Sequence, residues 1–417
     1  MTHHLVSRRS LLVASGSGLA GALASRLFSP SVALAASPPR AKACIVLWLN
    51  GGPSHIDTFD PKPGQPTGGP FKAIKTRART YELSEHLPGV AEVADKISLL
   101  RMTSKEGNHQ RARYLVHTGY APNPTVVHPS LGGWVSHELG DKSAELPQFV
   151  SVGGPAPGAG FLGVQHGPFT IQKAGAPPAN LTLARNVDDK RLDGRLGALA
   201  AMEGDFERRT GDPQVIGRRR VYEQSVRLMR SPRTKLFDLS DEPERTVKLY
   251  GDSDFGRGCL LARRLVEGGT RLVEVVLDGW DTHKDGFERG KRLSAALDGG
   301  FSGLVRDLAD RKLLDSTLVV CMGEFGRTPK INGDEGRDHY PQVWTAALAG
   351  GGVRGGVAHG KSDAAGAKIV ESPTSVPDLC ATVFTALGVA PDKGLSTPSG
   401  RPIAVTDGGS PVRAVLA

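Results

Sequence analysis

Buried-strand patterning limits this chain more than any other feature. Ala43–Leu49 is an unbroken apolar run, ACIVLWL, that gives way at once to Asn50-Gly51-Gly52. Ile97–Met102 and residues 148–152, 271–276 and 316–322 repeat the plan, each ending in a glycine-rich or charged loop. Apolar side chains on both faces mark strands buried on both faces, as in a parallel sheet covered by helices. Residues 342–349 are also strand-like. Between these runs lie helical patterns at His109–Thr118, 129–139, Asp254–Glu267, 290–313 and 376–387. In 290–313 the residues Leu293, Leu297, Phe301, Leu304 and Leu308 keep the helical period. Strands alternating with helices predict an α/β fold, with ligands gathered at the carboxyl ends of the strands.

The amino terminus carries a different signal. Ser7-Arg8-Arg9-Ser10-Leu11-Leu12 precedes a weakly apolar, glycine- and alanine-rich run over 13–27, and then Ala33-Leu34-Ala35. Paired arginines before a modest hydrophobic core and a small-x-small step form the twin-arginine pattern. Residues 1–36 are therefore expected to be a signal peptide read by the twin-arginine export machinery, delivering the protein to the periplasm or beyond. Arg26, with many glycines and serines, makes this run a poor permanent membrane span. Residues 37–417 are expected to form a single domain, with a charged helical insertion around 185–240.

The formal net charge of +9 is spread along the chain, and part of it sits in the leader. No basic stretch is interleaved with aromatics, so nucleic acid is not an expected partner. Cys44, Cys259, Cys321 and Cys380 lie in apolar strand or helix patterns and read as small buried residues without a disulfide spacing.

Ligand-type side chains cluster just after the strands. His55 and Asp57 follow the first, and Asn108 and His109 the second. Asp281, His283 and Asp285 follow the run ending at 276. Glu324 and Arg327 follow the run ending at 322, ahead of Asp338 and His339. Mixed carboxylate and imidazole donors suit zinc, manganese or iron, whereas oxygen-richer sets suit calcium or magnesium. His86, His117, His128, His137, His166 and His359 read as helix, loop or capping residues.

Three blocks resemble a known family. Trp48-Leu49-Asn50-Gly51-Gly52-Pro53-Ser54-His55-Ile56-Asp57-Thr58-Phe59-Asp60-Pro61 resembles the opening block of the family called domain of unknown function fifteen-hundred-and-one. Gly323-Glu324-Phe325-Gly326-Arg327-Thr328-Pro329 and Gly336-Arg337-Asp338-His339 resemble later blocks. The resemblance implies a three-layer α/β/α fold with a largely parallel central sheet, similar to alkaline phosphatases and sulfatases. Against sulfatases, the helix from His109 to Gly119 is similar in length and ending, and Arg113 matches their arginine. His109, however, stands at the nucleophile position. Glu324-Phe325 replaces an Asp-His pair, and Asn50 replaces the first aspartate.

Two functions follow as expectations. The first is a divalent-metal-dependent hydrolase of sulfate or phosphate esters, with sulfated glycans among the anionic substrates. Asp57, Asp281, His283, Glu324 and His339 would be ligands. His109 or His55 would be acid, base or nucleophile, and Arg113 and Arg327 would hold the anion. The second is a catalytically degenerate anion- or glycan-binding protein, or an envelope partner.

Overall fold

The computed structural model describes residues 41–417 apart from 176, 177, 179, 180 and 212, so the expected leader over residues 1–36 lies outside the described residues. Eight strands form the main sheet: Ala43–Leu49 (β1), Ile97–Met102 (β2), Phe149–Val152 (β3), Phe169–Ile171 (β4), Leu272–Leu277 (β5), Thr317–Met322 (β6), Trp344–Gly350 (β7) and Ala358–His359 (β8). Their order across the sheet is β8-β2-β7-β6-β1-β5-β3-β4. β1 is central and pairs in parallel with β5 and β6, Trp48 lying opposite Val276 and Met322. Only β7 runs against its neighbours, β6 and β2.

Side chains on a strand alternate between faces, so an all-apolar strand feeds two cores. In β1, Ile45, Leu47 and Leu49 enter one core, and Cys44, Val46 and Trp48 the other. The first core is closed by the short helix Pro88–Glu92 and by α5 (Asp254–Glu267) and α6 (Gly286–Asp310). The second is closed by α1 (His109–Thr118), α2 (Leu131–Leu139) and α7 (Val376–Ala386). The protein is thus a three-layer α/β/α structure around a largely parallel sheet, as expected. All four cysteines are buried and free.

Two helices, α3 (Asp189–Thr210) and α4 (Pro213–Arg230), make up the charged segment after β4. No residue of α3 is buried, whereas Leu228 of α4 reaches the first core. No helix among the described residues is long and apolar enough to cross a membrane.

One boundary differs from the expected pattern and bears on the site. α6 starts at Gly286, four residues before the start expected at 290. Its first turn is held from outside the helix. Asp285, at φ 49°, and Gly286 donate their N–H groups to the carbonyls of Asp334 and Glu335, at 3.0 and 2.9 Å. A tertiary contact, absent from local sequence, fixes that end.

Candidate metal centre

The loops after β1, β2, β5 and β6 meet at one rim of the sheet. Gly51 allows the first and third to touch. It has φ +113°, and a Cβ there would lie 2.3 Å from the Asp281 backbone nitrogen, so only glycine fits. Its N–H donates to both oxygens of Glu324, at 3.0 and 3.2 Å. That answers part of the cost of burying a carboxylate that is 2 % exposed.

His109 opens α1, which is capped by the Asn108 side chain accepting from the Arg111 N–H. His339 arrives by a short antiparallel pairing of Gly326–Arg327 with His339–Tyr340, which sets it opposite Arg327. The loop before His339 is laced to the loop after β5. Asn332 Nδ2 donates to the His283 carbonyl at 3.0 Å, and a Cβ on Gly336 would lie 2.1 Å from that same oxygen.

The result is a convergence on one oxygen. His283 Nε2, His339 Nε2 and His109 Nε2 lie 3.1, 3.3 and 3.4 Å from Asp281 Oδ1. The other nitrogen of each ring is already committed. His109 Nδ1 contacts Glu324 Oε1 at 2.7 Å, His283 Nδ1 contacts Asp338 Oδ1 at 2.8 Å, and His339 Nδ1 contacts the Gly107 carbonyl at 2.8 Å. All three partners are acceptors. The network therefore assigns the proton to each Nδ1 and leaves a lone pair on each Nε2. Ligating histidines are oriented in this way by carboxylates or carbonyls behind them.

Arg327 Nη1, 3.3 Å away, answers the lone pair of His283 Nε2, but among the described residues no donor answers those of His109 and His339. His109 Nε2 is buried without a hydrogen-bond partner. His283 Nε2 and His339 Nε2 face each other at 3.0 Å, lone pair to lone pair. A cation resolves both. Bonds of about 2.0–2.1 Å to a tetrahedral ion place donors roughly 3.3–3.4 Å apart, close to the spacings seen. The ligand atoms of His109, Asp281 and His339 all lie within 4.8 Å of one another. The residues present thus fit a divalent ion.

Electrostatics point the same way. Three carboxylates, those of Asp281, Glu324 and Asp338, are joined through this network with one guanidinium, Arg327. Against the burial that raises it, Arg327 pulls Asp281 down to about 2. The hydrogen bond that His109 donates to Glu324 raises His109, and burial lowers His339.

Several residues singled out from the sequence stand elsewhere or act differently. Asp57, expected as a ligand, gives both oxygens to Arg337, at 2.8 and 3.0 Å. Glu324, also expected as a ligand, stands behind His109. His55, expected to be an acid or base, is 1 % exposed and pairs through Nε2 with the Gly366 carbonyl at 2.8 Å; burial lowers it to about 4. Arg327, expected to hold an anion, is fully buried and holds Asp281 Oδ1 at 2.5 Å. His117 is a satisfied core histidine between the Arg113 carbonyl and Glu274.

Arg113 does face open space. A cleft of about 270 Å³ beside the cluster is lined by Asn50, His109, Gln110, Arg113, Asp278 and Glu324, among others. One Arg113 nitrogen donates to the Pro155 carbonyl, and its Nε has no partner. Asp278 and Gln110 were not singled out from the sequence. Asp278 directly follows β5, which was the available signal; nothing local marks Gln110. The Gly107 carbonyl is backbone and leaves no trace in a residue pattern.

A family model described as "Protein of unknown function (DUF1501)" matches residues 41–416. No curated protein matches the chain. Among solved structures, a sulfatase from Pseudoalteromonas sp. matches at 12 % identity and TM-score 0.37, over 83 % of this chain and 68 % of that one. A protein in the alkaline phosphatase superfamily from Vibrio parahaemolyticus matches at 12 % identity and TM-score 0.36, over 84 % and 67 %. A phosphonate monoester hydrolase from Silicibacter pomeroyi matches at 11 % identity and TM-score 0.35, over 89 % and 76 %.

Proposed function

The chain belongs to the DUF1501 family, and from that premise we propose that it is an exported, metal-dependent hydrolase of sulfate or phosphate esters. The carrying observation is the pair of imidazole nitrogens, His109 Nε2 and His339 Nε2, with uncommitted lone pairs beside Asp281 Oδ1. Asp281, His339 and His109 hold the ion, with His283 beside them. Imidazole-rich donors favour zinc over calcium or magnesium. A divalent cation there would polarise an ester oxygen and acidify a water molecule beside it.

The chain's own groups do the rest. Glu324 and Asp338 keep the Nε2 lone pairs of His109 and His283 directed inward. Arg113 and Gln110, which line the cleft from the same helix, receive the anionic group, and the amino end of α1 favours negative charge. Asn50 donates to Asp278 at 2.7 Å, giving the cleft wall a polar pair suited to hydroxyl groups. The twin-arginine pattern read in residues 1–36 of the sequence supports action outside the cytoplasm, after folding and loading of the ion.

The test is metal analysis of the purified mature protein, followed by turnover of aryl phosphate and aryl sulfate with zinc or manganese. Retained metal and turnover, both lost in His339→Ala, is the expected result. Absence of bound metal under all loading conditions refutes the reading.

One observation favours a second reading, a protein that binds anionic glycans without cleaving them. Among the described residues, no serine, threonine or cysteine side chain lines the cleft. Ser54, the nearest candidate in sequence, accepts from the Asp57 N–H in its own turn. Metal and glycan binding without product release would select this alternative.

A further inference from the structure

Arg327 is the one permanent cation in the cluster, and its bonding is complete. Nε donates to the Gly52 carbonyl at 2.9 Å. Nη1 donates to the Arg337 carbonyl at 3.2 Å and approaches His283 Nε2 at 3.3 Å. Nη2 donates to the Gly51 carbonyl and to Asp281 Oδ1. A guanidinium has five N–H donors, and all five meet the chain itself. The side chain is 0 % exposed and is not part of the cleft wall. It has no donor left for a substrate.

Its position has a second consequence. The four donor atoms form two overlapping sets that share Asp281 Oδ1 and His339 Nε2. One set is completed by His109, beside the cleft, and the other by His283. Two ions could in principle share such a carboxylate. The guanidinium already touches Asp281 Oδ1 and His283 Nε2, however, so positive charge on the His283 side is built in. A divalent ion there would meet a fixed cation at contact distance, with little solvent to screen it.

We infer that Arg327 is a resident cation, a positioning residue that fixes Asp281 and takes the place of a second metal, so the centre binds one divalent ion on the His109 side. This rests on the metal-dependent reading above and deepens it. His283 then orients the centre from behind Arg327, and the ion keeps open positions toward the cleft, as catalytic sites require. The anionic group is left to Arg113.

The experiment measures zinc per chain in the intact mature protein after loading and dialysis, together with inorganic phosphate binding by calorimetry. The inference expects one zinc per chain. It expects phosphate affinity to fall about tenfold or more in Arg113→Gln and less than about threefold in Arg327→Lys, since only the first donor fork faces the anion. Arg327→Gln should weaken zinc about tenfold by releasing Asp281, and Arg327→Lys should recover most of that loss because the charge is restored. Two zincs per chain in the unaltered protein overturn the inference and leave the metal reading intact. So does an Arg327→Lys protein that holds one zinc but loses phosphate as severely as Arg113→Gln. No zinc at all removes the metal reading itself, and this inference with it. Should the Arg327 variants not fold, the count in the unaltered protein still decides.

Discussion

Two charged clusters sit within this fold, and they are built on opposite terms. One lies between α5 and α6. Arg263 is 2 % exposed and contacts Glu242 at 2.7 Å, Glu267 at 2.9 Å and Asp307 at 2.9 Å. Arg264 and Arg311 complete it, contacting Glu242 at 2.6 Å and Asp307 at 2.7 Å, and Tyr250 donates to Asp307. Three guanidiniums face three carboxylates, and the charge is closed. At the sheet rim, three carboxylates are joined through one guanidinium, and two imidazoles, those of His109 and His339, hold back a lone pair each. Both clusters mix acids and bases at similar distances. The difference is in what remains unspent. A balanced network supports packing, whereas surplus electron pairs aimed at a common point suit a cation.

The comparison can be broken or sharpened by experiment. The largest effect is expected at the rim. His339→Ala should abolish metal retention on dialysis, while its metal-free form unfolds in urea within about 1 kcal/mol of the metal-free unaltered protein. A large loss of metal-free stability would make the rim a packing device like the other cluster. Next, Arg263→Leu should cost roughly 3–5 kcal/mol in urea unfolding by stranding buried carboxylates, with metal content unchanged. Loss of metal in that variant would mean the clusters are coupled. Glu324→Gln should be milder, lowering zinc affinity about 10–100-fold, because it disturbs the orientation of a ligand rather than removing one. An unchanged affinity in a competition titration would deny Glu324 that role.

The smallest effect concerns acid. Burial works to raise Glu242, but Arg264 and Arg263 hold it below the usual carboxylate range. Its folded value therefore lies below its unfolded one. The stability it contributes is complete above about pH 4.3 and drains away as pH falls through the folded value. Glu242→Gln should flatten the acid limb of the melting temperature against pH. An identical acid limb would place the acid-sensitive group elsewhere.

The layers were legible because burial on both faces leaves a mark on every residue of a strand. β1, β2 and β6 match their apolar runs, and α1 and α5 match their periodicity. The direction of β7 was not legible, since apolar content carries no arrow. The histidines of the centre stood out because they directly follow strands or sit in charged loops. Asp57 had the same surface appearance, and its capture by Arg337, 280 positions away, has no local sign. Arg327 likewise looked like an anion-binding group until its donors were counted.

Sequence alone determined the alternation of buried strands and amphipathic helices, the rim at which polar loops gather, and the chemical kinds of side chain present there. Those properties are local, set by hydrophobic pattern and residue type. Only tertiary structure decided which carboxylate sits among the imidazoles and which stands behind one, which arginine is spent, and which ring nitrogen keeps its lone pair. Those outcomes depend on distances of a few ångströms between segments far apart in the chain, and on backbone carbonyls that every residue possesses alike.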